Sequence, residues 1–408
     1  MASTDTSTDW ELIEAQLPIG WRELGNQMGL LRERPAHMGT KVLDLGVALR
    51  LVLHQAGTSA SLRATTALAA ATGVVAIAAV SLHQWMKKLG PYLTVLLARM
   101  VESAAFAPEK WGGLHIIAGD ATTVQRPASK GTTARVHYAL RLADMTPRHI
   151  EVTDEHGGET ARRFQAEPGE AWLLDRVYAN PPGVAAIHDR GAHIVVRFNR
   201  GTLPLYDKAG KPIGVMSLLK GTARRDKVRQ VRAFVRAGDK RIAGRLCWVR
   251  LPEKKAEQAR RRALKDSDGP CDDETLFAAE FVVVFTTILT ELTATKVLRL
   301  YRARWQVELE FKRGKTIREL DRLPNFLPET IRSWICAKLL LQLISARIAN
   351  ASSLPSDAFP PGEARFAFFP ATPTTERHGP AADRRRALVH GSHDLGHRVL
   401  GAAAHPAA

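Results

Sequence analysis

The sequence between residues 301 and 315 is Tyr-Arg-Ala-Arg-Trp-Gln-Val-Glu-Leu-Glu-Phe-Lys-Arg-Gly-Lys. We predict that it belongs to one long helix from residue 287 to about 314, with Thr290 as a candidate N-cap. At about 100° per residue, four polar side chains fall within about 60° of one another: Tyr301, Arg304, Glu308 and Lys315. Glu310 falls about 180° from Tyr301. One stripe therefore carries a phenol, a guanidinium, a carboxylate and an ammonium group.

An exposed helix with ion pairs four residues apart, such as Arg304 with Glu308, would have the same pattern. Two aspartates upstream favour a functional site instead. Asp120 and Asp175 each follow a short apolar run, so we place both at the C-terminal ends of buried strands, where ligands tend to bind. Three converging carboxylates can hold two divalent cations, which suits phosphoryl transfer. Basic side chains beside them would hold the scissile phosphate.

These residues resemble the DDE transposases of the insertion-sequence-four type, which have a ribonuclease H-like catalytic core. The family signature Y-x2-R-x3-E-x6-K is matched by the stripe described above. The context of the first aspartate, G-D-A/G/S-T, is matched by Gly119 to Thr122. The context of the second, D-R/G-x-Y/F, is matched by Asp175 to Tyr178. The segment 135–138 is also similar, and the resemblance covers residues from about 60 to about 350.

The resemblance implies a metal-dependent catalytic site. Asp120, Asp175 and Glu308 would be the catalytic residues and would bind Mg²⁺, with Mn²⁺ able to substitute. The implied reaction is hydrolytic nicking at the transposon end, followed by attack of the freed 3′-hydroxyl on target DNA. The implied partners are double-stranded DNA, at terminal inverted repeats and at the target, and a second copy of the chain in a homodimer.

The resemblance also implies DNA contacts around this site. Tyr301, Arg304 and Lys315 would contact phosphates of the transposon end, and Arg176 would assist. Some relatives stack a flipped base on an aromatic side chain, for which Trp248 and Trp305 are candidates, although tryptophan is more often a core residue.

The expected fold class is α/β: a ribonuclease H-like mixed sheet flanked by helices, with a helical N-terminal domain and a β-rich insertion. We expect an end-binding helical domain at 1–108, a catalytic core at 109–199 and 286–350, and the insertion at 200–285. Within the insertion, strands are expected at 212–217, 228–236, 241–251 and 278–285.

The charge is the unusual feature of the composition. The chain has 58 Lys and Arg against 41 Asp and Glu, a net charge of +17, which indicates a polyanionic partner such as nucleic acid. Residues 220–265 alone hold 17 basic against 4 acidic residues. Alternation of apolar and basic residues over 228–236 predicts a strand whose outward row, Arg229, Arg232 and Arg236, faces phosphate. The alternative is a solvated strand face.

Cysteine usage and the N-terminus indicate a cytoplasmic protein. Cys247, Cys271 and Cys336 are far apart and form no C-x-x-C pair, which excludes a zinc ribbon and a disulfide framework. The first 20 residues do not resemble a signal peptide. The most apolar stretch, 67–82, is shorter than a membrane span. We therefore expect a cytoplasmic protein that is not associated with a membrane, and the resemblance to insertion-sequence transposases implies a bacterial protein associated with the nucleoid.

The C-terminal segment differs from the rest of the chain. Residues 352–408 hold 7 of the 22 prolines and 5 of the 14 histidines, so we predict a loosely ordered tail over 351–408. We interpret it as a divergent or frameshifted end of a decaying element. Two alternative functions stay open from the sequence: a ribonuclease H-like site-specific nuclease, and a non-catalytic transposon-end-binding relic or repressor.

Overall fold

The structure is a computed structural model that describes residues 6–30, 44–102, 110–126, 131–222, 225, 227–265, 271–321, 323 and 328–352. These residues all belong to one compact unit. Most of the predicted tail lies outside the described residues, and the domain boundaries at 108, 199 and 285 stay predictions.

The strands of the described residues form one mixed sheet of eight strands. They are β1 (His115–Val124), β2 (Ala134–Arg141), β3 (Pro147–Asp154), β4 (Glu170–Leu174), β5 (His193–Arg197), β6 (Arg229–Ala237), β7 (Lys240–Arg250) and β8 (Phe281–Thr286). The strand order is β3-β2-β1-β4-β5-β8-β7-β6. β1, β4 and β5 are parallel, and the other neighbours are antiparallel. This confirms the predicted α/β class with a mixed sheet.

Twelve α-helices lie within the described residues. They are α1 (Thr6–Glu14), α2 (Trp21–Gln27), α3 (Leu45–Thr58), α4 (Leu62–Ala71), α5 (Ala79–Glu102), α6 (Pro181–His188), α7 (Val215–Lys220), α8 (Glu253–Lys265), α9 (Asp273–Ala279), α10 (Ala294–Arg302), α11 (Trp305–Arg318) and α12 (Pro328–Ser352). Across this described part of the chain, no helix has the length and apolar character needed to span a bilayer.

Helices cover both faces of the sheet, because alternate strand residues point to opposite faces and both sets are apolar. One face, which carries Ile117 and Trp172, packs against α6 and α7. The other, which carries Ile116 and Leu173, packs against α10 and α11. We call them the α6 face and the α10–α11 face.

The N-terminal region is helical, as predicted. Asp44 caps α3 by accepting hydrogen bonds from the backbone N–H groups of Gly46 and Val47. The apolar sides of α3 and α5 pack with α12 from the other end of the chain, and α5 also contacts β3. The first and last described helices of the unit therefore share one core beside the sheet.

The insertion is less β-rich than predicted. The strands expected at 228–236 and 241–251 are β6 and β7, and the one expected at 278–285 is β8, which begins at Phe281. The strand expected at 212–217 is wrong, because α7 begins at Val215. Val215 and Leu219, four residues apart, are both buried on one side of that helix. α8 and α9 were also not predicted.

Gly119, next to Asp120, has no room for a side chain. A Cβ there would lie 2.8 Å from Cδ2 of Leu174 and 3.1 Å from Cζ of Phe164, both buried on the α6 face. We expect Gly119→Ala to lower the free energy of unfolding by about 1–3 kcal/mol, the usual cost of overpacking. Urea denaturation followed by circular dichroism measures this. Gly158→Ala is the control, since a Cβ there meets nothing within 4 Å; equal stabilities of the two variants would contradict the packing argument.

Candidate active site

The two aspartates lie on neighbouring strands and on the same face of the sheet. Ala118 of β1 pairs with Leu173 of β4 in parallel register, and both pack on the α10–α11 face. Two residues further along each strand, Asp120 and Asp175 follow on that face, because side chains repeat every second residue. The register thus brings together two carboxylates that are 55 positions apart in the chain.

The prediction that Asp120 ends its strand is wrong. Asp120 pairs with Tyr138 of β2, and β1 continues to Val124. The antiparallel partner β2 extends β1 beyond the point where its parallel pairing with β4 stops. Asp175 does follow the last residue of β4, in extended conformation, as predicted.

Asp120 lies in an environment that disfavours its negative charge. Burial is the main cause and raises the pKa of Asp120 to about 6, with the charges of Asp175 and Glu159 acting in the same direction. The backbone N–H of Ala121 and the guanidinium of Arg304 oppose this shift but do not cancel it. A further cation beside Asp120 would therefore be favourable.

The helix that carries the signature is broken. In place of the single helix predicted over 287–314, α10 ends at Arg302 and α11 begins at Trp305. The N-cap is Thr293, whose hydroxyl accepts from the N–H of Lys296, and not Thr290. With the turn at 303–304, Tyr301 of α10 and Val307 of α11 are both buried against the sheet.

Arg304 connects the two parts of the site. Its Nη1 donates to Oδ2 of Asp120 at 3.2 Å, and its Nη2 donates to Oε1 of Glu308. The Arg304 side chain is only 13% exposed, whereas that of Glu308 is 53% exposed. The ion pair predicted between residues 304 and 308 exists, and Arg304 also pairs with Asp120, whose side chain is 18% exposed.

The other signature residues have different surroundings. The Tyr301 ring lies 5.9 Å from the Arg304 guanidinium, and its buried hydroxyl has no hydrogen-bond partner among the described residues. Burial raises the pKa of Tyr301, so the hydroxyl stays protonated. Lys315 lies on α11 and is partly exposed, and Arg176 is exposed directly after Asp175.

Two residues near the site were not predicted. Glu159 forms an ion pair with Arg135 at 3.4 Å, and its charge contributes to the raised pKa of Asp120. No sequence pattern marks it. Arg197 ends β5, and the register of Val195 with Leu173 places it one strand over from Asp175 on the α10–α11 face. The sequence feature that could have identified Arg197 is a charged residue at the end of an apolar strand, the same feature that identified Asp175.

The predicted row of three arginines on β6 is wrong for one member. Arg232 and Arg236 are exposed on the α10–α11 face, whereas Arg229 shares the parity of Ala233 and Val235, which are buried on the α6 face. Residues 229 and 232 are an odd number apart, so they point to opposite faces.

Arg236 makes two contacts within the protein that restrict the movement of its side chain. Its guanidinium lies 4.2 Å from the Tyr206 ring centroid and donates to the carbonyl of Gly210 at 3.1 Å. Of the two arginines on the α10–α11 face, Arg236 is therefore partly engaged within the protein.

A buried carboxylate neutralises part of the basic insertion. Glu280, 8% exposed, accepts hydrogen bonds from Arg225, Arg250 and Arg260. Burial opposes its charge, but the hydrogen bonds from Arg250 and Arg260 outweigh it and lower the pKa of Glu280. The net positive charge of residues 220–265 is therefore larger than the charge that these residues can present to a ligand.

The two tryptophans considered for base stacking differ in exposure. Trp248 is buried, and its indole N–H donates to Oγ1 of Thr222, so it is a core residue. Trp305 is 45% exposed at the first position of α11, next to Arg304.

The donor chemistry at this site fits a divalent cation, because carboxylate oxygens are the ligands that Mg²⁺ and Mn²⁺ prefer. Burial raises the pKa of Asp120 to about 6, so its negative charge is disfavoured and a bound cation would stabilise it. In the part of the chain that the structure describes, however, no three acidic, histidine or cysteine side chains come close enough to hold a metal ion together. Arg304 stands between Asp120 and Glu308.

Comparison with known proteins shows which family this sequence resembles. A family model described as the transposase DDE domain matches residues 112–343, more than half of the chain. The transposase of insertion sequence element IS421 from Escherichia coli is 27% identical over 348 residues, which cover 83% of this chain and 91% of that protein. The protein named as the InsL transposase of element IS186A from E. coli K12 is 27% identical over 333 residues, 79% of this chain and 89% of that protein.

Asp120→Asn tests the environment of that carboxyl. Since the pKa of Asp120 is about 6 in the folded protein against 3.8 for a free aspartate side chain, the folded state binds more protons than the unfolded state between these values. Wild-type stability contributed by this group is therefore lost as pH rises from about 4 to about 6, by about 3 kcal/mol in total. Asparagine does not titrate in this range, so the variant does not lose this stability.

The gain in free energy of unfolding of Asp120→Asn over wild type should thus grow between pH 4.5 and pH 8, as measured by urea denaturation at both. A difference that does not depend on pH would contradict the raised pKa.

Proposed function

The chain belongs to the family of transposases with a DDE domain, and we propose that Asp120, Asp175 and Glu308 are its catalytic carboxylates. Transposases of this family cut DNA and transfer strands, and their DDE domains use divalent metal ions. One observation carries the proposal: Arg304 donates hydrogen bonds to both Asp120 and Glu308, which are 188 positions apart. Asp175 follows on the same sheet face, one strand away from Asp120.

The proposed reaction is cut-and-paste transposition. Water attacks the phosphorus at the transposon end, and the bond from phosphorus to the 3′-oxygen breaks, which frees a 3′-hydroxyl. That hydroxyl then attacks a phosphorus in target DNA, forming a new phosphodiester bond as the target's own 3′-oxygen leaves. Each step exchanges one phosphorus–oxygen bond for another, so no redox partner is needed.

We assign the metal as Mg²⁺, with Mn²⁺ as a substitute, held by oxygens of Asp120, Asp175 and Glu308. When bound, such ions stabilise charge on the phosphate oxygens and lower the pKa of the attacking water. Tyr301 and Arg304 are proposed to bind the phosphate next to the scissile bond, the phenol as a hydrogen-bond donor and the guanidinium through its paired N–H groups. Arg176 and Lys315 are proposed to contact neighbouring phosphates.

The wider DNA contacts follow from charge and position. We propose that the N-terminal helices bind the terminal inverted repeats, and that target DNA and the transposon end meet at the α10–α11 face. On β6, Arg232 and Arg236 point to this face, which supports a role in phosphate binding; Arg229 points to the other. The proposed assembly is a homodimer on DNA, within the nucleoid of the bacterial cytoplasm.

Glu308→Gln tests the catalytic assignment. The amide keeps the size of the side chain and can still accept from Arg304, but it removes a negatively charged metal ligand. Nicking of DNA that spans the gene's own flanks, in Mg²⁺ or Mn²⁺, should fall by about a thousandfold, or about 4 kcal/mol of transition-state stabilisation. DNA binding should be retained.

Glu310→Gln is the matched control on the same helix. Glu310 pairs with Arg313 at 3.2 Å and accepts from Gln342, away from the aspartates. Nicking that survives in Glu308→Gln, or that is lost equally in both variants, would disprove the assignment of Glu308.

The β6 arginines are tested by salt dependence. Each phosphate contact contributes about one unit to the slope of log affinity against log salt concentration, so replacing Arg232 and Arg236 by Gln should reduce the slope by up to about two units. Fluorescence anisotropy with duplex DNA measures it. Arg229→Gln gives the comparison for the opposite face, and an unchanged slope in the double variant would show that these arginines face solvent in the complex.

A further inference from the structure

We propose that, without DNA, Arg304 competes with the divalent cation for Asp120 and Glu308, and that a DNA phosphate opens the metal site by taking up the Arg304 guanidinium. This rests on the proposed function, because it assumes that these carboxylates are metal ligands. It adds a second role for Arg304: an internal cation that keeps the carboxylates occupied until substrate binds.

The contacts of Arg304 support direct competition. Its two terminal nitrogens donate to one carboxylate each, Nη1 to Asp120 at 3.2 Å and Nη2 to Glu308. These are oxygens that a metal ion would need, and a guanidinium and a metal ion cannot share the space between them. Among the described residues, no three acidic, histidine or cysteine side chains are grouped closely enough to hold a metal ion.

The environment makes Arg304 a strong competitor. The side chain is 13% exposed, so its pairing with Asp120 is shielded from solvent. The Asp120 side chain is itself only 18% exposed, and Arg304 pairs with it at 3.2 Å, so the chain already supplies a cation to this carboxylate. Arg304 supplies that charge with no loss of translational entropy, whereas a free ion must give up both entropy and water.

Two features allow the bridge to open. Glu308 is 53% exposed, and exposed ion pairs contribute little stability, so its contact with Arg304 can be exchanged at small cost. Arg304 also lies in the turn between α10 and α11, at the N-cap of α11 and not in the interior of either helix.

A DNA phosphate can replace the two carboxylates as the partner of Arg304. A phosphate can accept both N–H groups of a guanidinium in a bidentate pair, as a carboxylate does. Moving Arg304 to phosphate and placing a metal ion on the carboxylates keeps every charge paired. Metal and DNA should therefore bind with positive coupling, since each favours the same position of Arg304. Metal ions would then be held tightly only where there is DNA to cut.

The test measures Mn²⁺ binding to the full-length protein without DNA, from the electron paramagnetic resonance signal of free Mn²⁺. Arg304→Lys keeps the charge but cannot bridge two carboxylates, and Arg304→Gln removes the charge. Both should bind Mn²⁺ about tenfold more tightly than wild type, a change within the ordinary range of coupling free energies. Arg197→Gln is the matched control, because it removes an exposed cation from the same sheet face and should change affinity by less than about threefold.

The outcomes separate this inference from the proposed function. If Arg304→Lys binds Mn²⁺ no more tightly than wild type, the competition is disproved, even if Arg304→Gln binds more tightly through its lost charge. If adding Asp120→Asn to Arg304→Lys leaves Mn²⁺ binding unchanged, then Asp120 is not a ligand, and the metal assignment itself fails. Unchanged near-ultraviolet circular dichroism establishes that each variant is folded.

Discussion

A single guanidinium, that of Arg304, joins two segments that are far apart in the chain, because it donates to Asp120 on the central strand β1 and to Glu308 on α11. The surrounding architecture serves this contact. Parallel pairing of β1 with β4 places Asp175 beside Asp120, and burial of Tyr301 and Val307 fixes α10 and α11 on the same face of the sheet. A shift of β1 or β4 by one residue would separate Asp120 from Asp175, since strand side chains alternate between the two faces of the sheet.

The charge distribution explains how a strongly basic protein can hold an acidic centre. The chain carries a net charge of +17, yet burial raises the pKa of Asp120, and the nearby charges of Asp175 and Glu159 act in the same direction. Such a centre is costly to the fold and is typical of functional sites. Elsewhere the excess of positive charge is partly neutralised, because Glu280 accepts hydrogen bonds from three arginines of the insertion. The cations that remain exposed are suited to phosphate, whereas within the acidic centre Arg304 pairs with Asp120 and Arg135 pairs with Glu159.

Much of the fold and site could be predicted from the sequence, since apolar runs ending in aspartate and the spacing of residues 301–315 are local patterns. What failed depends on tertiary context. The break at 303–304, the continuation of β1 past Asp120 and the helix α7 each follow from packing partners that local periodicity does not reveal. The face of Arg229 is different: its odd separation from Arg232 was available in the sequence. The ion pair of Arg304 with Asp120 could not be predicted, because nothing local relates residues 184 positions apart.

The proposed site requires that Asp120, Asp175 and Glu308 surround the same divalent ions when DNA is bound. Iron-directed cleavage can test this arrangement: Fe²⁺ replaces Mg²⁺ in the complex with DNA from the gene's flanks, ascorbate and peroxide are added, and mass spectrometry locates the cuts in the protein backbone. We expect cuts near residues 120, 175 and 308, all suppressed by excess Mg²⁺. Cuts near 120 and 175 without any near 308, or cuts elsewhere in the chain alone, would contradict it.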